Sequence, residues 1–199
     1  MKLKRILVAS GNPGKLRELS QLFMPMGVEL VAQSEYDVPE ADEPHSTFVE
    51  NALAKAHNAA KHCDMPILAE DSGICIEALN GAPGVYSARY AGDPKSDERN
   101  NAKLLTELEW HENRRAHYCC IMVLLRHAHD PQPIVAEAEW RGTILRSPRG
   151  SGGFGYDPLF LVDGMDKTGA ELTLEEKNKI SHRAKAFALL TRKLSEKAG

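Results

Sequence analysis

The spacing of apolar and polar residues predicts that the chain opens with a strand, a turn, a helix and a second strand. Residues 4–10 form a short apolar run typical of a buried strand, and the glycines and proline at positions 11–14 indicate a turn. Leucines recur at helical spacing in residues 15–23, and residues 28–33 again indicate a strand. The polar, acidic residues 34–46 are predicted to form a loop.

A second helix is predicted from its capping residues. Thr47 stands three residues before Glu50, which is the pattern of a capping box, so the helix should begin just after Thr47. Alanines at positions 52, 56, 59 and 60 would let this helix lie close to a sheet. Asn51 and Lys55 are four residues apart, and we expect them to share the face opposite the alanines.

The rest of the chain mixes strands with helices. Residues 66–70 and 74–79 predict two strands, interrupted by the polar segment Asp71-Ser72-Gly73, and residues 81–93 predict a loop rich in glycine and proline. A helix is predicted at residues 97–109, and two long strands at residues 117–127 and 134–145 are predicted to form a hairpin. A glycine-rich loop follows at residues 147–156, and a capped helix that bends near Ser181 is predicted at residues 173–197.

This order of elements favours an α/β fold with a mixed β-sheet and flanking helices. Helices alternate with strands in the first half of the chain, whereas paired strands follow in the second half. No internal repeat, linker or low-complexity stretch marks a boundary, so residues 1–199 are predicted to form a single domain.

The composition is that of an ordinary folded protein. Of the 199 residues, 42% are hydrophobic and 27% are charged, and the formal net charge is -3, so we expect no nucleic-acid partner. The longest apolar stretch, residues 118–125, is far shorter than the roughly 18 residues of a membrane helix, so we expect no membrane partner. The four cysteines include no C-x-x-C pair and are interpreted as reduced thiols of a cytoplasmic protein.

The segment Ser10-Gly11-Asn12-Pro13-Gly14-Lys15 is a candidate phosphate loop between a strand and a helix. The N-terminus of a helix presents free N–H groups and the positive end of a dipole, and both favour a phosphate. The segment is not a Walker A loop, because its spacing is short and Leu16 follows the lysine. An ordinary glycine turn with a solvated lysine explains this segment equally well.

A candidate metal site lies at Glu70-Asp71-Ser72-Gly73, where carboxylates follow a predicted strand. Mg²⁺ is usually held by one or two carboxylates together with water and substrate phosphates. Glu40, Asp42 and Glu43 form a second acidic group that would supply another ligand, and Lys55 would join the site only if its helix face looks into it. A plain acidic turn and a solvated loop are the alternatives.

Two later segments suggest that a nucleobase is bound. Glycines flank the aromatic residues in Gly152-Gly153-Phe154-Gly155-Tyr156-Asp157, and an uncovered ring suits stacking on a base. Ser181-His182-Arg183, with Lys177 one turn earlier, offers donors for a purine carbonyl. An aromatic residue buried under a loop and a basic helix surface are the plain alternatives, but the segments taken together describe a nucleotide site.

In order and over nearly the whole chain, these segments resemble the inosine triphosphate pyrophosphatase family, and most closely its bacterial members. The matching segments are 10–15, 48–52 with Lys55, 70–73, 81–89, 152–157 and 181–183. The resemblance implies an elongated fold with two lobes around a central nucleotide cleft, and a homodimer. It also implies Mg²⁺-dependent hydrolysis of ITP, dITP and XTP to the monophosphate and pyrophosphate, which keeps these nucleotides out of DNA and RNA.

The resemblance further implies a role for each matching residue. Ser10 to Lys15 would hold the triphosphate, with Lys55 near the phosphates and Ser72 in contact with the substrate. Asp71 would bind Mg²⁺ and orient or deprotonate the attacking water, with Glu43 near the metal. The base pocket would consist of Phe154, Gly155, Tyr156, Asp157, Lys177, His182 and Arg183.

Two departures from the family pattern are mild, and two other functions compete with the first. Glu70 replaces a second aspartate, and Ser10 replaces a threonine. One competing function is a nucleotide-binding or sensor module without turnover, which would not need the carboxylates of Glu70 and Asp71. The other is a pyrophosphatase that acts on pyrimidine or modified nucleotides.

Overall fold

The described residues, 3–197 of a computed structural model, form one mixed β-sheet of six strands with flanking helices. The strands are β1 (Arg5–Ala9), β2 (Glu29–Ala32), β3 (Ile67–Ile76), β4 (Arg115–Leu125), β5 (Ile134–Ile144) and β6 (Phe160–Val162). The helices are α1 (Pro13–Phe23), α2 (Phe48–Ala59), α3 (Asp97–Glu107), α4 (Leu174–Ile180) and α5 (His182–Glu196). Residues 1, 2, 198 and 199 of the predicted domain lie outside the described residues.

The sheet has the order β2-β1-β3-β4-β5-β6. β1 pairs in parallel with β2 and with β3, where Val8 lies opposite Leu68, whereas β5 pairs antiparallel with β6, where Thr143 lies opposite Leu161. β4 and β5 are neighbours, as the predicted hairpin requires. The predicted α/β class with a mixed sheet is therefore confirmed.

The capping residues fixed helix ends as predicted. Thr47 caps α2, since its side chain accepts a hydrogen bond from the Glu50 amide, and Thr173 caps α4 in the same way. The predicted bend near Ser181 is a complete break, because Ser181 has an extended backbone between α4 and α5.

The predicted interruption of β3 is wrong, since β3 runs unbroken from Ile67 to Ile76 through Asp71-Ser72-Gly73. The sequence pattern suggests a turn because charged residues are rarely buried. In the structure, Glu70 is 1% and Asp71 5% exposed, and basic side chains from other elements pair with both. Paired carboxylates can remain inside a strand, so the polar segment does not end it.

Both faces of α2 are covered. Asn51 is fully buried, as are Ala52, Ala56 and Ala59, and Lys55 is half-buried, so burial extends to the side of the helix that carries the two polar residues. Two of the predicted loops contain short 3-10 helices. Gln33–Tyr36 overlaps the loop predicted at residues 34–46, and Gly84–Arg89 lies in the loop predicted at residues 81–93.

The contacts divide the chain into two compact units, each with its own apolar core. The first unit contains residues 3–71, 120–138 and 183–197, and the second contains residues 72–119 and 139–182. The first core includes Ile6, Leu19, Phe23, Leu68, Met122 and Leu190. The second core includes Ile74, Leu104, Trp140, Tyr156, Phe160 and Leu172.

Among the described residues, no helix has both the length and the apolar character that crossing a membrane would need.

We expect Leu68→Ala to lower the free energy of unfolding by about 2–5 kcal/mol, because Leu68 is fully buried in the first core and truncation leaves a cavity. Urea denaturation followed by circular dichroism measures the change. Met24→Ala in the same unit is the control: Met24 is 70% exposed, so its truncation should change the free energy by less than about 0.5 kcal/mol. Equal losses in both variants would contradict the assignment of this core.

Candidate functional site

The candidate phosphate loop leads from β1 into α1. Asn12 caps α1, because its Oδ1 accepts hydrogen bonds from the Gly14 amide at 2.9 Å and the Lys15 amide at 3.1 Å. Ser10 Oγ in turn accepts a hydrogen bond from the Asn12 amide at 3.2 Å. The Gly14 and Lys15 amides, which the sequence predicts to be free for a phosphate, are thus satisfied within the loop. The Lys15 side chain remains as the main group of this loop that can attract a phosphate.

Lys55 lies between two carboxylates in the first unit. Its Nζ is 2.7 Å from Asp71 Oδ1 and also forms an ion pair with Glu43. The same ammonium is 3.4 Å from the carbonyl oxygen of Glu70. The fold therefore brings together Glu43, Lys55 and Asp71, three predicted residues that come from a loop, a helix and a strand.

Burial and charge act against each other on these groups. Burial disfavours the charged form of Lys55, but the attraction of Asp71 and Glu43 outweighs it and raises the pKa of Lys55. Burial raises the pKa of Asp71, although Lys55 and Lys15 act in the opposite direction. Lys55 is consequently held as a cation, and Asp71 is a carboxylate that gains from further positive charge nearby.

The residues present fit a divalent cation that the substrate helps to bind. Asp71 Oδ2 is buried and has no hydrogen-bond partner among the described residues. An acceptor of this kind is costly unless a cation or a donor binds it. Within residues 3–197, no three His, Cys, Asp or Glu side chains are grouped as a metal cage. The two carboxylates of Asp71 and Glu43 suit Mg²⁺, which usually keeps waters and phosphates as its other ligands.

Asn51 holds the loop that carries Glu43. Its Oδ1 accepts a hydrogen bond from the His45 amide, and its Nδ2 donates one to the His45 carbonyl, both at 3.1 Å. Both bonds are made by one buried side chain on α2, one turn before Lys55. The acidic loop is thus fixed to the same helix that carries the lysine.

Arg183 forms a buried ion-pair network in the first unit. Its Nε and Nη2 donate to the two oxygens of Glu70, each at 2.7 Å, and its Nη1 donates to Glu18. Lys15 Nζ is 3.2 Å from Glu70 Oε1. The guanidinium predicted to bind a base is therefore engaged with two carboxylates, and its role towards a base stays a prediction.

In the second unit, Asp157 organises the glycine-rich loop. Its Oδ2 accepts hydrogen bonds from the Phe154 amide at 3.0 Å and from Lys177 Nζ at 2.6 Å. Asp157 and Lys177 are 2% and 3% exposed, so this is a buried ion pair. Lys177 Nζ also lies 4.7 Å from the centroid of the Phe154 ring, within the range of a cation–π interaction.

Gly153 is required at its position for two reasons. Its φ of +70° is in the left-handed region, and a Cβ there would lie 2.1 Å from Asp157 Oδ2. Any side chain would push this carboxylate away from the Phe154 amide. The glycine thus permits the tight approach that places the half-buried Phe154 ring.

His182 is part of a stack of rings. Its ring lies 4.8 Å from that of Tyr118 at an interplanar angle of 9°, and 6.1 Å from that of Trp140. Tyr156 is also buried, and its hydroxyl donates to the Ser87 carbonyl at 2.9 Å. Burial raises the pKa of Tyr156 and that of Tyr118, so both phenols stay protonated.

Ser72, which is predicted to contact the substrate, is half-buried on β3.

Two residues of α3 fix the backbone of Gly155, and sequence reasoning missed both. Asp97 Oδ2 accepts a hydrogen bond from the Gly155 amide at 2.6 Å, and Asn101 Nδ2 donates one to the Gly155 carbonyl at 2.9 Å. No pattern links them to a loop more than fifty residues later. Their spacing of four residues on a helix was the available signal, since such residues share a face.

Comparison with known proteins gives a match over almost the whole chain. The family model described as the Ham1 family matches residues 6–193. A protein of Nitrosomonas europaea named dITP/XTP pyrophosphatase is 58% identical over 98% of this chain and 96% of its own length. A protein of the same name from Neisseria meningitidis serogroup A is 55% identical over 98% of both chains.

Solved structures match as well. A HAM1 protein from Coxiella burnetii has a TM-score of 0.89 and 44% identity, over 98% of this chain and 100% of that chain. A nucleoside-triphosphatase, or dITP/XTP pyrophosphatase, from Mycobacterium abscessus has a TM-score of 0.74 and 43% identity, over 96% and 99% of the two chains.

We expect Asp97→Ala to raise amide hydrogen exchange at Gly155 at least about threefold, because the variant removes the acceptor of that N–H group. Hydrogen exchange read by NMR or mass spectrometry measures this. Glu98→Ala is the matched control, since Glu98 is the next acidic residue in the first turn of α3. The same rise in both variants would indicate that the helix end, and not the Asp97 bond, controls the loop.

Proposed function

This chain belongs to the Ham1 family, and we propose that it is a pyrophosphatase of noncanonical purine nucleoside triphosphates. It would convert ITP, dITP and XTP to the nucleoside monophosphate and pyrophosphate. The relatives that support this substrate class carry the name dITP/XTP pyrophosphatase and are aligned over nearly their full length. The whole chain, residues 1–199, would act as one catalytic domain.

The observation that carries the proposal is the charge arrangement of the first unit. Lys15 and Lys55 are cations beside the carboxylates of Glu70, Asp71 and Glu43. Two fixed ammonium groups next to metal-binding carboxylates are what a polyphosphate with a divalent cation requires.

The reaction is an in-line displacement at the α-phosphorus. A water oxygen forms the new bond to phosphorus, the bond to the bridging oxygen of the pyrophosphate breaks, and the water gives up a proton. Asp71 would orient this water or accept its proton. Lys15 and Lys55 would bind the departing pyrophosphate, whose negative charge grows as the bond breaks.

Asp71 and Glu43 would hold Mg²⁺. When bound, Mg²⁺ would neutralise charge on the phosphate oxygens. Lys55 occupies the space between these two carboxylates and would move its contacts towards the phosphates once a cation neutralises them. The segment from Ser10 to Lys15 would bind the rest of the triphosphate.

Recognition of the base is proposed for residues of the glycine-rich loop and the helices after it. Phe154 would stack on the purine, while Gly155, Tyr156, Asp157, Lys177 and His182 would complete the pocket, with Ser72 in contact with the substrate. Hypoxanthine and xanthine carry a carbonyl at purine position 6, where adenine carries an amino group. A donor that pairs with this carbonyl would face a second donor in adenine, and such sites discriminate by about 10⁴.

Cellular setting and assembly are proposed from the resemblance. The enzyme would be a cytoplasmic homodimer that removes damaged purine nucleotides before they enter DNA or RNA. The four cysteines, Cys63, Cys75, Cys119 and Cys120, are reduced thiols, which suits a reducing compartment.

The wild-type protein should release pyrophosphate and IMP from ITP, and Asp71→Asn should lower kcat by at least about 10²-fold, because the amide can neither accept the proton nor hold the cation. A panel of ITP, dITP, XTP, GTP, ATP and CTP with Mg²⁺ measures both products by chromatography. Glu29→Gln is the control: it removes an exposed, ion-paired carboxylate of the first unit and should leave kcat unchanged.

The products separate the proposal from its competitors. Orthophosphate and a diphosphate would exclude attack at the α-phosphorus, and preferred cleavage of CTP would assign a pyrimidine substrate. Binding of ITP without any turnover would favour a sensor module that does not catalyse. The unpartnered Asp71 Oδ2 argues against such a module.

Chelation of divalent cations should abolish pyrophosphate release, and added Mg²⁺ should restore it. The physical reason is that two lysines alone do not balance a triphosphate beside the carboxylates of Asp71 and Glu43. The measurement is activity against free Mg²⁺ after treatment with EDTA. Full activity in EDTA would show that the carboxylates work without a cation.

A further inference from the structure

We propose that Glu18, which has no predicted role, is a positioning residue that locks Lys15 and Asp71 into one geometry through Arg183 and Glu70. The inference rests on the proposed function, because it explains how the phosphate-binding lysine and the metal-binding carboxylate are kept in register. The network lies entirely within the first unit.

The bonds of Arg183 join three elements. Its guanidinium comes from the first turn of α5, grips Glu70 on β3 with two parallel bonds, and reaches Glu18 on α1. Glu18 is 3%, Glu70 1% and Arg183 1% exposed, so water does not screen these charges. Two-pronged bonds from a planar guanidinium fix direction as well as distance.

Each carboxylate of the network stands next to a residue of the phosphate chemistry. Glu18 follows Lys15 by three residues on α1, so the two share a helix face. Glu70 directly precedes Asp71 on β3, where successive side chains point to opposite faces of the sheet. Fixing Glu18 and Glu70 to one guanidinium therefore fixes the backbone that carries Lys15 relative to the backbone that carries Asp71.

The network also sets the charge that Lys15 can offer to a phosphate. Glu70 Oε1 accepts from Arg183 Nη2 at 2.7 Å and lies 3.2 Å from Lys15 Nζ, so Arg183 is the closer of these two cations. Because Arg183 neutralises the charge of the Glu70 carboxylate, Lys15 is only a partial counterion of Glu70. The Lys15 ammonium therefore still attracts a polyphosphate. Without Glu18, the guanidinium would lose its second anchor and Lys15 would be drawn more closely to Glu70.

Glu18→Gln tests the proposal because it keeps the shape of the side chain and removes its charge. We expect kcat for pyrophosphate release from ITP to fall about tenfold or more, since a displacement of about 1 Å in a catalytic group can cost about 10²-fold. The ratio of kcat/KM for ITP to that for GTP should stay within about twofold of wild type. Hydrogen exchange of residues 13–19 and 67–71 should rise, which is a readout independent of activity.

Asp130→Asn is the matched control. Asp130 is a buried carboxylate of the same unit, and its bonds go to Arg126 and Gln132. The variant should lower Tm, yet kcat and the exchange of residues 13–19 should stay within about twofold of wild type. Assays are run at a temperature at which every variant is folded by circular dichroism.

Arg183→Lys is the second variant and carries the same test should Glu18→Gln fail to fold. It keeps the positive charge and removes the two-pronged bond, so kcat should again fall while the preference for ITP over GTP is kept. Lost preference with unchanged hydrogen exchange would overturn the proposal, because the guanidinium would then contact the base. Wild-type kcat and exchange in Glu18→Gln would overturn it as well.

The two hypotheses fail in different ways. A wild-type protein that releases no pyrophosphate refutes the proposed function, whereas the exchange of residues 13–19 and 67–71 in Glu18→Gln still decides whether Glu18 couples α1 to β3.

Discussion

The buried carboxylates of Glu70 and Asp71, at consecutive positions in the middle of β3, are the constraint on which the first unit depends. A buried anion without a cation would be protonated or would disrupt the strand. The chain meets this demand from three helices: α1 supplies Lys15, α2 supplies Lys55 and α5 supplies Arg183. Stability and the chemistry of the site are therefore linked, since Lys55, which pairs with Asp71 in the strand, also pairs with Glu43, the other candidate metal ligand.

The second unit applies the same principle to a loop. Asp157 is buried, and Lys177 and the Phe154 amide satisfy its carboxylate, while Gly153 leaves room for the approach. Asp97 and Asn101 then fix the next residue, Gly155, from outside the loop. A glycine-rich segment, which would be mobile in isolation, is thus held on both sides of Phe154, as a stacking surface for a base requires.

The difference between the two sets of residues fits the chemistry proposed for them. The first unit concentrates formal charge on Lys15, Lys55, Asp71 and Glu43, which suits phosphates and a divalent cation. The second unit offers the stacked rings of Tyr118 and His182 and a buried ion pair whose lysine lies over the Phe154 ring, which suits a flat and largely uncharged base.

The sequence by itself determined the α/β class and the start of α2 just after Thr47, and it predicted a bend near Ser181 where the structure has a complete break, because apolar spacing and caps are local signals. Local motifs also suggested which residues form the candidate site. Only the tertiary structure decided that β3 passes unbroken through Asp71, that Asn51 is buried and that Glu18, Asp97 and Asn101 support the site. Glu70 and Arg183 are 113 residues apart in the chain, and no local pattern shows that one neutralises the other. Whether a charged residue ends a strand or stays inside it depends on a partner that the fold alone supplies.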